Sequence, residues 1–221
     1  MNMIKEIRNI ENLFARVCFY IVGLIIMSLG IVTTYLAPKL GTGAFDALNY
    51  GMTETLGLTV GRWVLINGAI FILLNSLVER KFPKIHTVVT VMIIGHFIDF
   101  WLDRLAPFVT DQLMWQVIFL AVGLLILTIG AAAYIAADLI ASPIDLLTLT
   151  MVKKSGKSFG LMKTIVEVAC LLLALLFSGP IGVGTLVITV VIGPLIQVFL
   201  RPMNKLLVKF GKDKNVTDVM R

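Results

Sequence analysis

Six apolar runs of about 18 to 23 residues recur along this chain, and each could cross roughly 30 Å of hydrocarbon as a helix. Inside a bilayer every backbone N–H and C=O must be bonded within the protein, so runs of this length fold as helices. Charged residues make up 14% of the chain, against about 25% for soluble domains. The sequence therefore predicts an all-α membrane protein, and its informative residues are the polar ones inside the spans.

The spans read as Val17 to Ala37, Arg62 to Val78, Ile85 to Leu102, Met114 to Ala137, Gly160 to Phe177 and Gly182 to Leu200. The first is too long for a signal-peptide core and no A-x-A site follows it, so it is expected to stay as a helix. Glu79-Arg80-Lys81-Phe82-Pro83-Lys84 and Ser178-Gly179-Pro180 read as turns. Between spans lie two half-apolar segments, Gly41 to Leu58 and Ser142 to Val152. Ala44 to Leu56 would extend only about 20 Å as a helix, at 1.5 Å per residue. Both short segments therefore read as half-helices that dip into the membrane and return.

The chain also repeats itself. Gly23, Gly30, Asp46, Gly61, Thr87 and Gly95 recur in order as Gly123, Gly130, Asp145, Gly160, Thr185 and Gly193, at a shift of about 98 to 100 residues. Three spans per unit would make the two units inverted. The expected organisation is an interfacial helix at 1–16, a membrane repeat at 17–102, a linker at 103–113, a second repeat at 114–200 and a basic tail at 201–221. Ile4, Ile7, Ile10 and Phe14 form the stripe of the first helix. Met203, Leu206, Leu207 and Phe210, opposite Lys205, Lys209 and Lys212, form that of the tail.

Basic residues set the orientation. With both termini in the cytoplasm, Lys39, Arg62 and Arg104 fall outside, and the other flanking lysines and arginines fall inside. An eight-span alternative fits the charges nearly as well, so the length of the short segments decides between them. The net charge of +6 then points to anionic lipid headgroups rather than nucleic acid.

Candidate site residues fall into two groups. Gly41, Gly43 and Asp46 open the first half-helix, and Ser142, Pro143 and Asp145 open the second with a capping pattern. Two roles are open to each aspartate: capping its own helix, or lining a shared cavity that binds a cation or proton, with free N–H groups available to an anion. Within or beside the spans stand His96 and Asp99, at i and i+3 on one face, Lys163 and Glu167, at i and i+4, and Asn49, Asn67 and Gln197. Lys163 reads as a residue that snorkels to the cytoplasmic interface.

Gly182-Val183-Gly184-Thr185 and the heptad-spaced glycines read as close helix packing. Cys18 and Cys170 read as membrane thiols without metal-ligand spacing. No protease, hydrolase or nucleotide-binding motif is present, so neither an enzyme nor a cofactor is expected.

Gly41-Thr42-Gly43-Ala44-Phe45-Asp46, Leu56-Gly57-Leu58-Thr59-Val60-Gly61 and Ile94-Gly95-His96-Phe97-Ile98-Asp99 resemble the YczE/YyaS/YitT group of bacterial membrane proteins over nearly the whole chain. That group commonly has Pro-Trp before the aspartate, where this chain has Ala44-Phe45. The resemblance implies a bacterial cytoplasmic-membrane protein and carries no established activity. The leading expectation is a transporter, or its membrane subunit, with a polar site for a small solute or ion between the repeats. The rival is a scaffold or regulator of another complex, and either form could act as a homo-oligomer or with a separate subunit.

Overall fold

The computed structural model describes residues 10–210, which are all-helical with no strand among them. Eight α-helices follow in order: α1 Ile10–Tyr35, α2 Ala44–Leu56, α3 Val60–Glu79, α4 Val88–Leu105, α5 Leu113–Ala136, α6 Pro143–Ser155, α7 Phe159–Leu176 and α8 Val183–Phe210. All but α2 and α6 are long and apolar enough to cross a membrane, which gives six candidate spans. The two short helices have 13 residues each, or about 20 Å.

Local chemistry sets the boundaries. Thr59, Ser142 and Ser158 each cap the helix they precede, accepting from Arg62, Asp145 and Leu161 N–H. Gly156 ends α6 in the left-handed conformation, at φ +69°. Within the spans, hydroxyls bond back to their own helix: Ser28 to Leu24 O, Thr33 to Leu29 O and Thr128 to Leu124 O. This keeps them satisfied without a partner helix.

Two boundaries differ from the sequence reading. α1 runs unbroken from Ile10, so residues 10–16 continue the first helix instead of forming a separate one; Ile4 and Ile7 lie outside the described residues. α8 continues through Pro194 and Pro202 to Phe210, so no break occurs at Arg201-Pro202. Met203 and Leu206 form a groove with Phe14, Ala15 and Cys18 of α1, which gives the extended helix an apolar surface to run along. Lys212 lies outside the described residues.

The packing is organised around α1 and α5. Gly23 lies against Gly130 and Gly30 against Gly123, so these helices are antiparallel. A Cβ on Gly23 would stand 2.5 Å from Tyr134 N, which only a bare backbone avoids. α3 meets α4 where Gly61 faces Gly95, and α7 meets α8 where Gly160 faces Gly193. The short helices cross over: α2 packs on α7 and α6 on α3. Tyr20, Leu24, Val64, Ile98, Leu127, Tyr134, Ile188 and Ile196 lie in the central core.

One end of the bundle is tied by Arg16, which donates to Ala137 O at 2.8 Å, and by Lys154, which donates to Val78 O. At the other end Lys39 pairs with Asp111 at 3.1 Å.

Candidate functional site

The starts of α2 and α6 open onto one cavity of about 60 Å³ in the core of the bundle. Asp46, Asp145, Lys163 and Glu167 line it together, with Ser142 beside them. The rest of the wall is apolar and includes Met27, Ile31, Phe71, Ile94 and Ile192.

The charged residues form a chain of contacts. Lys163 Nζ on α7 lies 2.8 Å from Asp145 Oδ1 and 3.3 Å from Glu167 Oε1. Ser142 Oγ lies 2.7 Å from Asp145 Oδ2, and the Tyr134 hydroxyl from α5 donates to the same oxygen. Asp145 N–H donates to Ser142 Oγ in turn. Asp145 is therefore both a first-turn carboxylate and half of a buried ion pair. Glu167 Oε2 accepts the backbone N–H of Phe45 at 3.3 Å, so it bonds to the first turn of α2.

Asp46 is different. It is 7% exposed and lines the cavity, yet no hydrogen bond or ion pair among the described residues reaches its carboxylate. Gly43 caps α2 without a side-chain bond, and Tyr35 Oη donates to the Asp46 carbonyl at 3.2 Å, not to the carboxylate. Taking a carboxylate out of water without a partner carries a penalty of several kcal/mol, on the order estimated for buried ions.

The cavity brings together Asp46, Asp145, Glu167 and Ser142 from the sequence candidates. Lys163 joins them and does not snorkel: its side chain is 7% exposed and held by two carboxylates. Asn67 and Asn49 are buried and bonded to each other, Nδ2 to Oδ1 at 2.7 Å, where α2 meets α3.

The others lie elsewhere. Asp99 accepts from Thr59 Oγ1 at 2.8 Å and from Gly61 N at 2.9 Å, which fastens α4 to the start of α3. His96 is exposed, with its ring edge-on to Phe97. Gln197 is exposed, with its Oε1 beside Gly160. Gly41, at φ +81°, carries the chain past Gly182 and Thr185. Tyr134 was not among the sequence candidates. Its signal was a lone phenol in the run Ala131-Ala132-Ala133-Tyr134-Ile135-Ala136. Among the described residues no group of three or more His, Cys, Asp or Glu is placed to hold a metal ion.

Residues 14–201 match the family of unknown function DUF6198, and the chain belongs to it. It is 36% identical over 183 residues to the uncharacterized protein YyaS of Bacillus subtilis, covering 82% of this chain and 90% of that protein. It is 32% identical over 187 residues to the uncharacterized membrane protein YczE of the same organism, covering 85% and 86%. An uncharacterized protein of Haemophilus influenzae is 27% identical over 169 residues, covering 76% and 75%. No solved structure matches. With its six apolar helices, the chain is a small polytopic membrane protein.

Proposed function

We propose that this member of the DUF6198 family is a small transporter whose site lies between two inverted repeats in the bacterial cytoplasmic membrane. One observation carries the reading. The cavity is lined by residues that the repeat shift pairs: Met27 with Leu127, Ile31 with Ala131, Asp46 with Asp145, Ile94 with Ile192 and Ile98 with Ile196. A site at the interface of two inverted repeats is where rocking one repeat against the other exposes it to each side of the membrane in turn.

The packing supports the repeat. The Gly23–Gly130 contact maps onto Gly123–Gly30 when the halves are exchanged, and Gly61–Gly95 maps onto Gly160–Gly193. Because α1 and α5 are antiparallel, the axis exchanging them lies across the helices, in the membrane plane. The α2–α7 seam likewise exchanges with α6–α3.

Those two seams are candidate gates. In the α3–α6 seam Thr150 Oγ1 lies 2.7 Å from Asn75 Oδ1 and 3.3 Å from Glu79 Oε1, and Lys154 donates to Val78 O. At the end of the α2–α7 seam Gly51 meets the backbone of Phe177 and Gly179 in the turn after α7. Rocking one half against the other would open one seam and keep the other shut. By the positive-inside rule the α3–α6 seam, with Arg80, Lys81, Lys153 and Lys154 near it, faces the cytoplasm together with both termini.

The test is access to the cavity. Single cysteines at Ile31 and Ala131, in a Cys18→Ser/Cys170→Ala background, are treated in sealed vesicles with an impermeant maleimide from each face. A transporter should label at both positions from both faces. Protection from both faces would overturn the transport reading and favour a packed scaffold.

A further inference from the structure

We propose that the central cavity binds one compact monovalent cation against Asp46. The inference rests on the cavity being the transport site and specifies what that site holds.

Charge comes first. Three carboxylates, Asp46, Asp145 and Glu167, share one lysine, Lys163. The N-termini of α2 and α6 add roughly half a positive charge each. With all three carboxylates ionised, the sum leaves about one negative charge uncompensated, and it falls on Asp46. The other two carboxylates are engaged: Asp145 by Lys163, Tyr134 and Ser142, and Glu167 by Lys163 and Phe45 N–H. Asp46 is more than nine-tenths buried, unbonded among the described residues and on the cavity wall.

The sign follows from the same contacts. Helix N-termini often hold anions. Here Glu167 already takes the Phe45 N–H and Ser142 the Asp145 N–H. An incoming anion would meet three carboxylates and only one lysine, itself paired twice.

Valence and size follow from the walls. A divalent ion needs several oxygen ligands and usually more than one free carboxylate. Only Asp46 is free, and the facing wall of Met27, Ile31, Ile94 and Ile192 offers no oxygen ligand from its side chains. The 60 Å³ of space holds only a few waters, at roughly 10–15 Å³ each. An alkali ion with part of its hydration shell fits, as does ammonium or a short primary ammonium.

The repeat shows why the seat is single. At the positions paired with Lys163 and Glu167 the first half carries Val64 and Gly68. Asp145 therefore has its cation built into the chain, whereas Asp46 must take one from outside.

The experiment uses the purified full chain in detergent. Thermal unfolding is followed at constant ionic strength as N-methylglucamine chloride is replaced by sodium, potassium, ammonium or methylammonium chloride. A ligand that binds only the folded state raises the midpoint with its concentration. At least one of these ions should raise the wild-type midpoint by several degrees. Asp46→Asn, checked for unchanged helical circular dichroism, should abolish the rise, and Asp46→Glu should retain it with a changed half-saturating concentration. No rise with any of the four ions, a response to pH alone, or a rise that Asp46→Asn retains would each overturn the proposal. The two failures are distinguishable: a cation response in a protein with no access from either face removes the transport reading, and access without a cation response removes the cation.

Discussion

Glu167 on α7 accepts the backbone N–H of Phe45, 122 positions earlier in the chain, at the start of α2. The carboxylate also lies 3.3 Å from Lys163, whose ammonium reaches Asp145 at the start of α6. One turn of α7 thus ties together the first turns of both short helices. Any movement of α2 relative to α7 must stretch or exchange these bonds, which places the charged residues at the moving part of the proposed cycle.

The first prediction concerns that turn. Lys163→Met removes the single cation from a cluster of three buried carboxylates. Breaking a buried pair from one side is worth about 3–5 kcal/mol, so denaturant unfolding in mixed micelles should show a loss of that order. A triple variant, Lys163→Met with Asp145→Asn and Glu167→Gln, leaves no unpaired charge at these positions and should recover at least half of it. Equal instability of the single and triple variants would mean that packing, not charge, sets the cost.

A second prediction concerns the α1–α5 crossing. A Cβ on Gly130 would stand 2.3 Å from Met27 N. Backbone cannot turn aside as a side chain can, so Gly130→Val should lower stability by at least the roughly 1–3 kcal/mol of ordinary overpacking. Gly57 is the contrast: nothing lies within 4 Å of its added Cβ, although its φ is +79°. Gly57→Ala should lose only the backbone strain of a conformation that almost only glycine adopts (φ +79°, ψ −163°), about 1–3 kcal/mol. Comparing the two midpoints separates close approach from conformation.

How much of this was legible depends on what the sequence encodes. Span lengths and the two short helices follow from apolar run length, which local physics fixes. Asp46 and Asp145 were reachable because the sequence matches them at a shift of about 99 residues and each opens a short helix. Lys163 was misplaced because its position along a helix says nothing about what packs opposite; α6 puts Asp145 there, 18 positions away. His96 and Asp99 differ by 300° of rotation at 100° per residue, or about 60° apart around the helix. That is enough to leave His96 exposed while Asp99 meets Gly61. The last span and the tail separate after Leu200 in the sequence; in the fold the helix runs on beside α1, where Met203 and Leu206 meet Phe14 and Cys18.

The third prediction concerns topology. Lys81 follows α3 and Asp111 precedes α5, at opposite ends of the bundle. In a Cys18→Ser/Cys170→Ala background, a cysteine at position 111 should react with an impermeant reagent added outside intact cells, and one at position 81 only after lysis. The reverse pattern would invert the protein and exchange the sides assigned to the two seams.

Asp99 provides the sharpest contrast with Asp46. It too is a carboxylate within the membrane part of the chain, but both its oxygens are used: Oδ2 by Thr59 Oγ1 and Oδ1 by Gly61 N–H. It lies outside the cavity lining. Asp99→Ala would leave the Gly61 N–H without its acceptor where α3 and α4 press together, a loss of about 1–3 kcal/mol. Asp99→Asn keeps one acceptor oxygen and should lose less. Both variants should still show the cation-dependent rise in unfolding midpoint, from a lower starting value. Asp46→Asn should show the opposite pattern, with the cation response lost and the cation-free midpoint nearly unchanged or raised, because an uncompensated charge has been removed. If Asp99→Asn instead abolished the cation response at unchanged stability, the ion would sit where α3 meets α4, and the assignment of the seat to Asp46 would fail.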